Sequence, residues 1–412
     1  MFFHVIFLVM FAGRVRSLFS AVFFAFLLTA TQGLAQDQGA VTKQLRAVQS
    51  ACEKKFDPKT DHFPSQAKLR YAKRFSVSYH GYYKHVTVNQ PWVGSKEKFE
   101  YLLLSCGAPR PKGYPGATVI DIPVKNIAAL STTQISLIEM LGEGDKINGV
   151  SDIRWVYSEG LRKRYRLQKI SELGFETGLD LERILMLNPD LVFINGIDES
   201  IIKAVNEIRQ SKSTAVVFAE YMEEEPLGRT EWVKFVSLFL NLESKAESRF
   251  SKVEKPYLEL KKKVLKTKRK PSVFTGVEHQ GTWYLPGMKS FISNLIKDAG
   301  ASYVFRENNY PGARNYDFEW VYDKAGQADF WINTDQWKTM ADVLRADERY
   351  ALFKAFKTRR IYNNNLRLNR FGGNDYWEGA LVKPHLVLED LVGIFHPDLV
   401  PEGTLNWYHR LQ

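Results

Sequence analysis

The segment from Gly178 to Ile194 restricts the fold of this chain more than any other. It reads as a short helix, Leu179 to Leu187, that stops at Asn188-Pro189 and passes at once into an apolar strand, Leu191 to Ile194. Leu181, Ile184, Leu185 and Leu187 can share one broad helix face, with Glu182 and Arg183 at its solvent edge. Pro189 lacks a donor and restricts Asn188, so the helix ends there. The theme returns later. Asp317 to Tyr322 leads through Ala325 to Asp329 into the strand Phe330 to Ile332. A helix with an exposed glutamate, then an aspartate, then a buried strand, met twice, predicts two lobes of α/β type.

Strands and helices alternate on both sides of a long helical stretch. Before it come strands at 119–122, 147–150, 191–194 and 214–218, with helices at 133–141, 179–187 and 201–210. After it come strands at 272–275, 303–305, 330–333 and 361–363, with helices at 290–299, 319–325, 350–354 and 385–394. This alternation implies largely parallel sheets. Between the two sets, Trp232 to Leu242 is apolar and aromatic, and Lys245 to Lys266 is highly charged, with Phe250, Val253, Tyr257, Leu258 and Leu260 as its apolar positions. Pro256 kinks or splits that stretch. Its length and charge suggest a rigid spine, since a flexible linker would be rich in Gly and Ser. Ahead of the first lobe, Phe75 to Val88 and Tyr101 to Leu104 read as strands, and Val41 to Lys54 as a helix. The expected class is therefore α/β: two lobes with central, largely parallel sheets joined by a long rigid helix, plus an N-terminal β-rich extension. The expected divisions are 1–35, an extension 36–115, a first lobe 116–230, a spine 231–270 and a second lobe 271–412.

The first 35 residues read as an export signal. An apolar run, Leu18 to Ala30, precedes the small-x-small site Gly33-Leu34-Ala35, and Arg14 and Arg16 supply the basic flank. The earlier apolar run, Phe2 to Phe11, fits a start at Met10 instead of Met1. A retained membrane anchor is the alternative, although each run is shorter than the roughly 20 residues that span a bilayer. Cleavage near Ala35 places the mature chain in the periplasm. Its two cysteines, Cys52 and Cys106, either pair in that oxidising compartment or remain separate thiols.

The formal charge is +11, and only Arg14 and Arg16 leave with the signal. A basic surface suits nucleic acid, an anionic membrane or an anionic ligand, and export argues against nucleic acid. Part of the excess is the block Lys261 to Lys270, which reads as a solvated helix end where cations complement the dipole. The apolar fraction of 45% and charged fraction of 25% are those of an ordinary folded protein. No Gly-x-Ser-x-Gly elbow, His-Glu-x-x-His helix or Gly-x-x-x-x-Gly-Lys phosphate loop occurs. These motifs give no enzyme reading, and an exported metal-dependent hydrolase is kept as the alternative from another class.

Several segments together resemble the periplasmic substrate-binding proteins of ABC importers for ferric siderophores, haem and cobalamin. These are Leu179–Glu182 with Asn188–Val192, Trp283–Ser290 with Asp298–Gly300, Asp317–Glu319 with Ala328–Ile332, and the closing Asn374–Glu378, Pro384, Leu388–Asp390 and Ile394–Pro397. The resemblance runs from about Ile120 to His396. It implies a stiff two-lobed binder with a ligand cleft between the lobes, no intrinsic cofactor, and delivery to a permease dimer with its ATPase. A soluble monomer is expected. It also implies that one surface glutamate in each lobe, Glu182 and Glu319, docks on the permease.

The cleft should be lined from loops. Trp283 and Tyr284 lie in a stretch broken by glycine and proline, and an indole there either offers a flat face to a ligand or plugs the lobe surface. Arg306 and Arg314 flank a polar Pro-Gly segment, and Arg370 lies in the loop Asn369–Asp375, with Tyr376 and Trp377 directly after it. Arginine suits an anionic chelate because its planar fork carries several donors, although each of these can instead pair with a nearby carboxylate. Arg154, Trp155 and Tyr157 follow the strand Ile147–Val150, on the side where α/β ligand sites gather. The expected cargo is an iron chelate, foremost a ferric siderophore, with haem or cobalamin as alternatives. Haem iron accepts Tyr or His ligands, which keeps Tyr284, His80 and His279 in view. Bare-ion binding fits less well, because the His and acidic residues do not cluster in sequence.

Overall fold

Four sheets organise the computed structural model, which describes residues 56–57, 59–175, 178–210, 213–308, 312–400, 403 and 405–412. Asp57–Gln412 is one compact unit. The expected signal, the Val41–Lys54 helix and Cys52 lie outside the described residues. Cys106 is disulfide-bonded. Among the described residues, no helix is long and apolar enough to cross a membrane.

The first sheet is β1 (Phe75–His80), β2 (Tyr83–Asn89), β3 (Lys98–Ser105) and β4 (Thr118–Ile122), in that order. β1 and β2 form a hairpin in which His80 faces Tyr83, and Gly81, at φ +60, opens the two-residue turn as such hairpins require. β4 adds in parallel to β3, with Tyr101 opposite Thr118. The strand expected to begin the first lobe is thus the last strand of the extension. Its pattern of Val, Ile and Ile suits either sheet, and only tertiary pairing decides.

The first lobe holds β5 (Ile127–Ala129), β6 (Ile147–Val150), β7 (Ser171–Glu172), β8 (Leu191–Asn195) and β9 (Thr214–Phe218), all parallel, in the order β7-β6-β5-β8-β9. Both faces of β8 are covered. Leu191 and Phe193 join the aromatic core with Phe218, Trp232, Phe235 and Phe239. Val192 and Ile194 join Ile184, Ile201 and Ile208 on the other side. The helix at the key segment is Leu181–Leu187, with Asp180 as N-cap accepting from the Arg183 N–H at 3.0 Å, and Asn188 closes it in the left-handed region at φ 44. Leu185 does not pack on the expected face. It is exposed, as is Met186, and only Ile184 of this helix is buried. A charged helix at Glu159–Arg166, absent from the sequence reading, fills the loop after β6.

The second lobe holds β10 (Ser272–Thr275), β11 (Glu278–His279), β12 (Thr282–Pro286), β13 (Ser302–Tyr303), β14 (Ala313–Tyr316), β15 (Phe330–Ile332), β16 (Ile361–Asn363) and β17 (His409–Arg410). Its main sheet runs β13-β10-β15-β16-β17 and is parallel except for β17. A small antiparallel sheet, β11-β12-β14, lies beside it.

Two helices in place of one connect the lobes: Pro226–Leu238 and the 22-residue Glu243–Val264, which continues through Pro256. At 1.5 Å per residue the second is about 33 Å long. It packs on Pro226–Leu238 and on the closing helix Pro384–Phe395. Buried charge fastens the extension to this pair. Glu231 is fully buried and accepts the N–H groups of Arg70 (3.0 Å), Tyr71 (2.7 Å) and Ala72 (2.8 Å). Glu223 takes those of Lys73 and Arg74, each at 2.9 Å. Five successive backbone donors thus converge on two carboxylates. Lys84, also fully buried, bonds the Leu238 carbonyl at 2.7 Å and pairs with Glu243. Burial pushes its ammonium down to about 8 against the pull of Glu243.

Candidate functional site: a cleft between the lobes

The carboxyl ends of the parallel strands in both lobes meet at one cavity of about 1070 Å³. That is where open α/β sheets place ligands. Trp155 follows β6, Tyr221 to Glu223 follow β9, Thr275 to Val277 close β10, Asn333 and Asp335 follow β15, and Asn364 and Asn365 follow β16. The extension also reaches the cavity, through Val93.

Local hydrogen bonds fix these loops. Asn333 and Asp335 sit in the left-handed region, at φ 58 and 54, a conformation Asn and Asp tolerate better than most residues. The Asn363 amide pins their turn by accepting from the Thr334 N–H (2.9 Å) and donating to the carbonyls of Asp335 and Trp337 (2.8 Å each). The Tyr221 hydroxyl donates to the Gly196 carbonyl at 2.8 Å.

Three cations line the cavity: Arg229, Lys289 and Lys338. None of the three forms an ion pair among the described residues. Arg229 lies in the first turns of Pro226–Leu238 and stacks on the Phe291 ring at 4.8 Å. Its Nε is shielded from water and lacks a hydrogen-bond partner among the described residues. Burial lowers the guanidinium from its ordinary value, while Glu220, Tyr376 and Glu223 pull the other way. Glu220 is itself buried, with Oε2 unpaired. Four large aromatic side chains, Trp155, Tyr284, Phe371 and Trp377, line the same cavity and are each about half exposed. A cavity with apolar flat faces and unpaired cations can hold a large anion that carries rings.

The expected residues divide. Trp155, Tyr284, Tyr376 and Trp377 come together at the cavity, with Tyr376 nearly buried in its floor. Trp283 does not reach it. It is fully buried, with Nε1 donating to the Thr275 carbonyl at 3.2 Å, between Phe274 and Trp331. The cause is strand alternation along β12, which turns Trp283 and Leu285 inward and Tyr284 outward. Arg154 is held by Asp152, with contacts down to 2.6 Å, and does not line the cavity. Arg306 bonds Ser302 at 2.5 Å, and Arg314 sits on β14 opposite Leu285; both lie outside the lining. Arg370 stacks on Phe371 at 4.6 Å and does not itself line the cavity. Tyr157 contributes its backbone N–H to Glu378 at 2.7 Å and lies behind the wall. His80 stacks on Tyr83 in the extension, and His279 is on β11; neither lines the cavity. Among the described residues, no group of three or more His, Cys, Asp or Glu side chains is placed to hold a metal ion.

Arg229 and Lys338 escaped the sequence reading because each belongs to a regular element or a loop without Gly-Pro marking. Lys289 lies in the segment Trp283–Ser290, whose aromatic residues carry the stronger signal.

Glu182 and Glu319 occupy the same place in their helices. Each follows an Asp N-cap by two residues, with Asp317 accepting from the Trp320 N–H at 2.8 Å as Asp180 does from Arg183. Both side chains are exposed. They differ in one respect: Glu319 meets Arg349 at 3.2 Å, and Arg349 also holds Asp347 at 2.7 Å.

The chain is 28% identical over 354 residues to an uncharacterized lipoprotein of Methanocaldococcus jannaschii, covering 80% of this chain and 82% of that protein. Its fold is similar to that of a periplasmic heme binding protein of Pseudomonas aeruginosa (TM-score 0.55, 14% identity, 70% of this chain and 98% of the other). It is also similar to a possible iron-binding, periplasmic solute-binding protein of Staphylococcus epidermidis (TM-score 0.52, 18% identity, 67% and 100%). At such identities the likeness speaks for the fold alone. Residues 127–365, more than half of the chain, match the periplasmic binding protein family, and with the two-lobed α/β architecture and its interlobe cavity the chain belongs to that family of non-catalytic, small-ligand receptors of ABC importers.

Proposed function

We propose that this protein is exported, cleaved near Ala35, and carries an anionic iron chelate, foremost a ferric siderophore, in its interlobe cleft to an ABC permease. One observation carries the reading: Arg229, Lys289 and Lys338 line the cavity without ion-pair partners among the described residues, beside four half-exposed aromatic rings. A cation whose Nε is shielded and unpaired is costly unless a ligand group completes it, and a chelate with anionic oxygens supplies that group. The cavity is large enough for such a ligand. The four arginines expected from the sequence are replaced in this role by three other cations. Glu182 and Glu319 would dock the two lobes on permease arginines, and the extension would run to Ile122.

Tyr284 favours a second reading, haem. It projects from β12 into the cavity and is about half exposed, and a phenolate can ligate haem iron. Tryptophan-fluorescence titration separates the two. A ferric tris-catecholate should bind with micromolar or tighter Kd and weaken by about tenfold or more in Arg229→Met, the order of one lost charge-assisted hydrogen bond. Haemin binding lost in Tyr284→Phe, without chelate binding, would move the cargo to haem. Binding of cobalamin alone would contradict both.

A further inference from the structure

We propose that Glu378 is a positioning residue that locks the two lobes together along one wall of the cleft and sets the spacing of Trp155 and Trp377. This deepens the proposed function, because those two rings are cleft-lining groups in that reading.

Glu378 belongs to the second lobe and is nearly buried. Its two carboxyl oxygens accept the backbone N–H groups of Tyr157 and Ser158 in the first lobe, each at 2.7 Å. Ser158 is the N-cap of Glu159–Arg166, so a side chain from one lobe terminates a helix of the other, where negative charge or an acceptor is favoured. Asn369 completes the clasp. Its Nδ2 donates to the carbonyls of Arg154 (2.9 Å) and Val156 (3.0 Å), the two that flank Trp155. Its Oδ1 accepts from Phe371 (2.8 Å) and Gly373 (3.0 Å), which shapes the turn that delivers it. Thr132 donates to the Trp377 carbonyl at 3.2 Å.

Four of the five residues from 154 to 158, all but Trp155 itself, are thus held by the opposite lobe, and the residue after Trp377 makes two of those bonds. Gly373 shows how closely the backbones approach. A Cβ there would lie 2.7 Å from the Trp155 carbonyl oxygen and 2.8 Å from that of Arg154, so only glycine fits. Opening the cleft along this wall would break every one of these bonds, at a net cost of about 0.5–1.5 kcal/mol each once water replaces the partner. The wall is therefore held together by direct bonds between the lobes.

Around the carboxyl, Glu139 bonds the Ser158 hydroxyl at 2.6 Å, and Asp375 is held by Arg367 at 3.1 Å and by the Trp407 Nε1 at 2.9 Å. The like charges of Glu139 and Asp375 disfavour a full charge on Glu378, as its burial does.

Hydrogen exchange of the full chain tests the lock without any ligand. In Glu378→Ala, amides of 154–158 should exchange about tenfold faster or more, as expected for the loss of two buried hydrogen bonds, while β8 and β9 keep their protection. Glu378→Gln, which keeps one acceptor oxygen, should recover part of the protection. Asn369→Ala should accelerate the same segment and serves if the Glu378 variants do not fold. A ferric tris-catecholate titration is the second readout, with affinity expected to fall about tenfold in Glu378→Ala. Unchanged exchange at 154–158 in a folded Glu378→Ala would overturn the lock. Faster exchange with unchanged tris-catecholate affinity would overturn the positioning role. Failure of the wild type to bind any chelate would defeat the proposed cargo, and the exchange result would still decide the lock.

Discussion

Replacing Glu231 by leucine should loosen the hold of the interlobe helices on residues 70–72 of the extension. Glu231 is fully buried and serves three backbone N–H groups of residues 70–72 together with the Lys234 ammonium at 2.9 Å. Leucine fills the space but accepts nothing. Three backbone donors, one buried and two part-buried, lose their acceptor, at about 1–3 kcal/mol each if none finds water. Lys234 retains Glu247 at 2.8 Å and the Lys68 carbonyl at 2.6 Å, so its charge is not stranded. Residues 70–72 can shift toward solvent, which puts the expected loss near the lower bound, about 3–4 kcal/mol. Glu231→Gln, with one oxygen retained, should lose about half of that. Denaturant unfolding gives the difference, and hydrogen exchange at 68–74 localises it. A loss below about 1 kcal/mol in the leucine variant, with the 68–74 amides still protected, would refute the claim that this carboxylate fastens the extension.

Trp283→Ala should cost about 3–5 kcal/mol, as large core truncations do, whereas its neighbour Tyr284→Ala should leave the unfolding midpoint nearly unchanged and alter ligand affinity; thermal melts with parallel titrations distinguish them. Glu378 has its carboxyl pushed up to about 8 from 4.5, first by burial and then by Glu139 and Asp375, against the N–H bonds of Tyr157 and Ser158. As pH rises, the unfolded chain therefore releases this proton before the folded one. The contribution is complete below about pH 4.5 and is lost by up to about 1.4 kcal/mol per pH unit until about pH 8. The stability gap between wild type and Glu378→Gln should shrink over that window and level off above it, and a gap independent of pH would contradict the assignment. Glu182→Arg with Glu319→Arg should abolish uptake by cells while chelate affinity of the purified protein stays within about twofold, because both side chains are exposed on the outer helices; lost chelate affinity would place them in the cleft.

The lobes were legible because their signals are local. The Leu181–Leu187 helix announces itself by its apolar spacing and by Asn188-Pro189, and β8 by an unbroken apolar run. The two connecting helices show as a long patterned stretch, although the break at Asn241, in the left-handed region, passed as one helix. The site was legible only in part. Trp155 and Trp377 sit in turns whose composition marks them as surface. Trp283 was misplaced because Thr282–Pro286, with its proline, did not read as a strand, and the inward and outward sides of β12 follow only from pairing with β14. Arg154 looked free, yet Asp152 two residues earlier claims it. Arg229 looks in sequence like any helical cation, and nothing but the approach of Phe291 and Tyr376 from the other lobe turns it into a cleft residue. Glu378 carries no local sign of its cross-lobe role, since its partners are more than two hundred residues away.

The proposed occupant of the cleft is an anionic iron chelate held against Arg229, Lys289 and Lys338. Native mass spectrometry of the protein recovered from the periplasm, with its bound small molecule identified, tests it most directly. One iron-containing anionic chelate per chain is expected, with lower occupancy in Arg229→Met. A neutral corrinoid, or a bare divalent ion without an organic chelator, would contradict it.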